Sequence, residues 1–94
     1  MEMTVERVLE IADDSVALIN DVNTKGASST YLQEGLSQSE VNKAVQRNVD
    51  HLEIILAYDG STGLKVDVAG NSADKSSYTA AITTGKNYIT ANSG

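Results

Sequence analysis

The first two dozen residues constrain this chain more than any other stretch. At about 100° per residue, residues 4–23 place Val5, Val8, Leu9, Ile11, Ala12, Ser15, Val16, Leu18, Ile19 and Val22 on one contiguous arc. That arc spans about half the helix circumference. The other half holds Glu6, Arg7, Glu10, Asp13, Asp14, Ala17, Asn20 and Asp21. No apolar residue longer than alanine interrupts it, so the spacing predicts an amphipathic helix over 4–23. Thr4 is placed to cap it, Glu6 suits the positive end of its dipole, and the stretch from Asn23 to Gly26 ends it. A helix docked on one neighbour needs a stripe of about 100°. The wider arc predicts two neighbours, the second belonging either to this chain or to another copy of it.

The same segment carries the charge. The chain has 13 acids and 7 bases, a net charge of −6. Residues 1–24 hold Glu2, Glu6, Glu10, Asp13, Asp14 and Asp21 against Arg7 alone, so almost all of the net charge belongs to the first helix. No basic stripe exists for a nucleic acid to meet, and no nucleic-acid partner is expected. The chain has no Cys, which removes disulfides, thiolate nucleophiles and Cys-based metal centres. Ninety-four residues leave room for a single helical domain over 1–94. The 40% hydrophobic content is a little below that of ordinary globular domains, and it is aliphatic, with four Tyr and no Trp or Phe. A core of that size gives a small stability margin, which self-association would relieve. No apolar run approaches the roughly 18 residues of a membrane span, and the N-terminus lacks the pattern of a signal peptide. No membrane partner and a cytoplasmic location are expected.

Residues 24–37 are rich in Ser, Thr and Gly, with Tyr31, Leu32 and Leu36 as apolar anchors. So long a connection is unusual in a small domain. It is either a functional loop or one ordered by those three side chains, with room for a turn of helix. A second helix is predicted over 38–58. Ser37 and Glu40 have capping-box spacing, and Val41, Ala44, Val45, Val49, Leu52, Ile55 and Leu56 form its arc. Asp59-Gly60 stops it. Residues 64–68 alternate apolar and polar, which argues either for a short β segment, paired with the Thr30-Tyr31-Leu32 region or with a second molecule, or else for merely extended chain. A third helix is predicted over 73–91, capped by Asn71 or Ser72. Tyr78, Ala81, Ile82, Gly85, Tyr88 and Ile89 share its narrow arc. Its outer face is rich in Thr and Asn, poor helix formers, so it depends on packing. Gly85 in mid-arc costs about 1 kcal/mol against Ala, which a close helix–helix approach would explain.

Few residues carry recognisable chemistry. His51, the sole His, would suit a general base or pH switch, but no motif sets a nucleophile beside it, and a boundary position on an amphipathic helix explains it as well. Asp13 and Asp14 diverge by about 100° and do not converge on a cation. The segment from Asp59 opens like a calcium loop, but Gly63 and Gly70 stand where oxygen ligands are required. Gly85-Lys86 lacks the remaining elements of a phosphate-binding loop. No catalytic residue, cofactor or metal ligand is assigned. Asn48 lies inside an apolar arc, where it would either fix the register of a helical interface or bond locally to backbone. Among the tyrosines, Tyr58 and Tyr78 lie at apolar arcs, and Tyr31 is the one expected at the surface. The candidate interaction surface is Glu6, Glu10, Asp13, Asp14, Ile11, Leu18 and Tyr31.

Two segments carry a resemblance. Arg47-Asn48-Val49-Asp50-His51-Leu52-Glu53-Ile54-Ile55-Leu56-Ala57-Tyr58-Asp59, followed by Asp74 to Ile89 with its Tyr78, Gly85 and Tyr88, resembles small proteins of tailed phages, particularly marine ones. The resemblance covers roughly the C-terminal half and consists of packing patterns. It implies a virion or assembly role and transfers no functional residue. The combined expectation is a mostly α, three-helix bundle that acts without enzymatic chemistry as a homo-oligomer or assembly component. The alternative is a regulatory module that offers helix 4–23 to a basic partner protein.

Overall fold

The computed structural model describes residues 4–60, 66–70, 72 and 74–93. Its helices are α1 (Val5–Lys25), α2 (Gln38–Leu56) and α3 (Ser76–Ala91), with a 3-10 turn at Gly26–Ser28. Each α-helix packs against both others, so the expected three-helix bundle is the fold. The second neighbour demanded by the wide arc of α1 is therefore α3 of the same chain. Val8, Ala12, Ser15, Ile19 and Val22 form the buried centre of that arc, and Val5, Leu9, Ile11, Val16 and Leu18 its half-buried flanks.

The helix ends follow local chemistry. The Thr4 hydroxyl accepts from Arg7 N, and Gly26 ends α1 with a φ of 62°, a left-handed value that suits Gly. The capping box of α2 forms in full. Ser37 Oγ accepts from Glu40 N, and Glu40 Oε1 accepts from Ser37 N. This helix ends at Leu56, two residues short of expectation, because the chain turns at once into a tight return. Val68 N and Ala69 N both donate to Tyr58 O, and Gly60 N donates to Val66 O. α3 begins at Ser76, later than expected, and Ser72 does not cap it. Instead the Asp74 carboxylate accepts from Ser76 N at the helix entrance. Asn71 lies outside the described residues.

Of the alternatives for 64–68, the described residues show extended chain and not a strand. Residues 64 and 65 lie outside the described residues, and among the described ones the only pairing there is an isolated antiparallel bridge between Asp59 and Asp67. The alternation is real but has another cause. Val66 and Val68 are both buried in the core while Asp67 between them is exposed, as extended chain laid on a bundle requires. The pairing partner is the exit of α2, not the Thr30-Tyr31-Leu32 region.

Gly85 sits where the three helices meet. A Cβ there would lie 2.5 Å from Val49 Cγ2, 3.3 Å from Val45 Cγ1 and 3.4 Å from Ile19 Cγ2. That close approach accounts for Gly at a helix centre. Tyr78 and Tyr88 are buried, and their hydroxyls reach the edges, to Asp13 and Gln38 respectively. The long connection is ordered by side chains. Leu32 and Leu36 pack on the core, and Ser29 is buried, donating to Asp21 and accepting from Tyr31 N.

Candidate interaction surface

The seven candidate residues separate onto different parts of the surface. Glu6, Glu10, Asp13 and Asp14 are all exposed on α1. Asp13 turns toward α3, where its carboxylate accepts from the Tyr78 hydroxyl at 2.8 Å. Burial, and then Asp13 itself, push the Tyr78 phenol up to about 12. Glu10 accepts from Arg7 at 2.9 Å. Asp14 has no hydrogen bond or ion pair among the described residues. A further acid, Asp21, bonds Ser29 and lies 3.3 Å from Lys25 Nζ. The Ser29 hydroxyl and then Lys25 hold its carboxyl below the usual range. The acidic face expected from sequence is thus partly consumed within the chain.

Ile11 and Leu18 are half-buried, and Tyr31 is 53% exposed. Leu18 and Tyr31 come together at a groove of about 560 Å³ between α1, the connection and α2. Leu18, Leu32, Leu36 and Ala44 give it an apolar part, and Tyr31, Gln33, Glu40, Lys43 and Arg47 a polar one of both signs. Asn48 also lines it, with Nδ2 donating to Ala44 O at 2.8 Å, which is the local backbone bond foreseen as one of its two roles.

Sequence reasoning missed Lys43, Arg47 and Ile54. Lys43 and Arg47 are one turn apart on α2, and neither forms an ion pair among the described residues. Ile54 is 54% exposed. The signal was present: at about 100° per residue Ile54 falls on the polar side of α2, close to Lys43 and Arg47.

Comparisons with protein-family models, with curated proteins and with solved structures find no match to this chain. The site must therefore be read from its own geometry. His51 is exposed, and its Nδ1 lies 3.5 Å from the hydroxyl of Ser15. Ser15 is only 3% exposed, so that hydroxyl is out of reach of a substrate carbonyl. Asp50 accepts from Gln46 at 2.8 Å, on its own helix. A second groove, of about 510 Å³, lies between α2 and α3, and the amides of Gln38, Asn42 and Asn92 that line it are engaged in bonds within the chain. Among the described residues no three His, Cys, Asp or Glu are grouped to hold a metal, and no helix is long and apolar enough to cross a membrane.

Proposed function

We propose that this chain is a non-enzymatic interaction protein that assembles with copies of itself, in the setting of a phage particle or its assembly. One observation carries the reading. The bundle leaves an open groove where Leu18, Leu32 and Leu36 stand among the polar Gln33, Glu40 and Asn48, with an exposed tyrosine and two cations beside them. An amphipathic groove of that kind suits a protein surface. The phage setting rests on the resemblance of the C-terminal half alone. Light scattering over a concentration series tests the self-association. The expected outcome is a mass that rises above that of the 9.9 kDa chain with concentration. A strict monomer at about millimolar concentration, where even weak complexes form, counts against it.

A second reading rests on the exposed carboxylates of Glu6, Glu10 and Asp14, which would meet a basic partner protein through α1. Charge reversal of these three residues should then abolish capture of such a partner.

A further inference from the structure

We infer that the face of the α1–α2 pair turned away from α3 is a two-fold interface whose occupant is a second copy of this chain. The inference rests on the self-association proposed above and names its surface.

Relative heights along α1 and α2 follow from their contacts. Ser15 meets His51, and Leu18 shares a groove with Ala44 and Asn48, so the helices run antiparallel. Asp14 is thus level with His51 and Leu52, and Ile11 with Ile54 and Ile55. The side of each helix that faces α3 is also marked. On α1 it holds Asp13, bonded to Tyr78, and Ile19, packed at Gly85. On α2 it holds Val45 and Val49, packed at Gly85, and Glu53, 3.4 Å from Lys86 Nζ. At about 100° per residue the opposite side carries Arg7, Glu10, Asp14, Asp21 and Lys25 on α1, with Leu18 at its edge. On α2 it carries Glu40, Lys43, Arg47, His51 and Ile54.

Both helices carry both signs here, but Arg7 pairs with Glu10, Lys25 with Asp21, and Glu40 is held in the capping box, so the charges left without an ion pair among the described residues are Asp14 on α1 and Lys43 and Arg47 on α2. A two-fold axis along the seam, parallel to the helices, sets α1 of each copy opposite α2 of the other and preserves heights. The interface is then isologous, each contact occurring twice. Arg47 and His51 meet the partner's Asp14. Ser15 occupies the Nδ1 side of His51, which leaves Nε2 as the ring atom for the partner. Ile54 covers the edge of the partner's Ile11, and the partner's Leu18 seats beside the groove under Tyr31. The arrangement uses Tyr31 and Ile54, the large apolar side chains most exposed among the described residues. It also pairs Asp14 with Arg47, charges with no ion pair among the described residues. Two copies of net charge −6 repel at long range, so this local complementarity selects the one face on which approach is favourable.

The test is sedimentation equilibrium at low salt on the full chain and on exposed-site variants with unchanged circular dichroism. The wild type should dimerise, more weakly as salt rises. R47E and D14K should each weaken the dimer by about tenfold or more, because each reversal acts at two symmetric contacts. I54S should weaken it severalfold, and T83E on the outer face of α3 should leave it unchanged. An equimolar mixture of R47E and D14K should regain wild-type affinity, since the heterodimer faces the two reversed charges at one contact and the native pair at the other. Association unaffected by R47E, D14K and I54S overturns this surface while leaving self-association standing. A chain that stays monomeric throughout overturns the self-association itself.

Discussion

Position 85 shows what one missing methyl does in a three-helix bundle. A Cβ there would stand 2.5 Å from Val49 Cγ2, with Val45 and Ile19 close behind. Gly85→Ala gains about 1 kcal/mol of helix propensity and incurs overpacking of about 1–3 kcal/mol. The expected result is a net loss of about 1 kcal/mol in urea unfolding, and a larger one for Gly85→Val. A more stable Gly85→Ala would mean that the helices separate at little cost. Tyr78 gives a second residue-scale outcome. Its phenol is raised from 10.0 to about 12, so the folded chain holds that proton more tightly than the unfolded one. Stability present below about 10 is therefore lost as pH rises toward 12. Asp13→Ala removes the hydroxyl's acceptor, which should cost about 1 kcal/mol at neutral pH and shift the late step of a tyrosine absorbance titration downward. An unmoved step would show that burial alone sets it. The spacing of residues on α3 foretold the close approach at Gly85. It did not foretell the Asp13–Tyr78 bond, because those residues are 65 positions apart.

At the scale of elements, α2 was the most legible. Its capping box is local chemistry, and Ser37 and Glu40 form it as their spacing requires. Ser37→Ala should cost about 1 kcal/mol and Ser37→Gly only a few tenths. The Ser37 backbone N–H and then its hydroxyl hold the Glu40 carboxyl below its ordinary 4.5. Its contribution is complete above that value and fades as pH falls through the lowered one. Glu40→Gln should flatten this acid limb of a urea-midpoint profile, and an unchanged limb would assign the acid sensitivity elsewhere, with Asp21 and Asp74 the next groups to examine. The start of α3 was less legible, because the groups that organise it compete. Ser72 and Asp74 are both able to cap a helix, and neither stands at the N-cap: Lys75 does, without a side-chain bond, while Asp74 just before it accepts from Ser76 N. For the segment from 66 to 68, alternation reported one buried side correctly and left its cause open. Extended chain on a bundle and a strand in a sheet produce the same pattern.

For the whole molecule, Val66 and Val68 tie the return after α2 onto the core that all three helices share. Val68 is fully buried, and Val68→Ala removes two methyl-sized groups at about 0.8 kcal/mol each, plus a cavity term. A loss of about 2 kcal/mol is expected, with amide exchange near Tyr58 and Gly60 rising along with that of α2. If exchange rises only in the return, the segment is a separate appendage and not part of the cooperative unit.

Apolar spacing along the sequence determined the number of helices, their approximate extents and their inward faces, because a 3.6-residue period shows in local order alone. Net charge and its concentration on α1 were equally plain. Only the tertiary structure decided that the second neighbour of α1 is α3 rather than another copy. Only it decided which carboxylates stay free, with Asp13 and Asp21 bonded to groups elsewhere in the chain and Asp14 left over. It alone set Lys43 and Arg47 beside Leu18 and Tyr31 at one groove. A helical period fixes each residue's angle around its own axis. It says nothing of which other helix stands at that angle, and surfaces are made from such pairings.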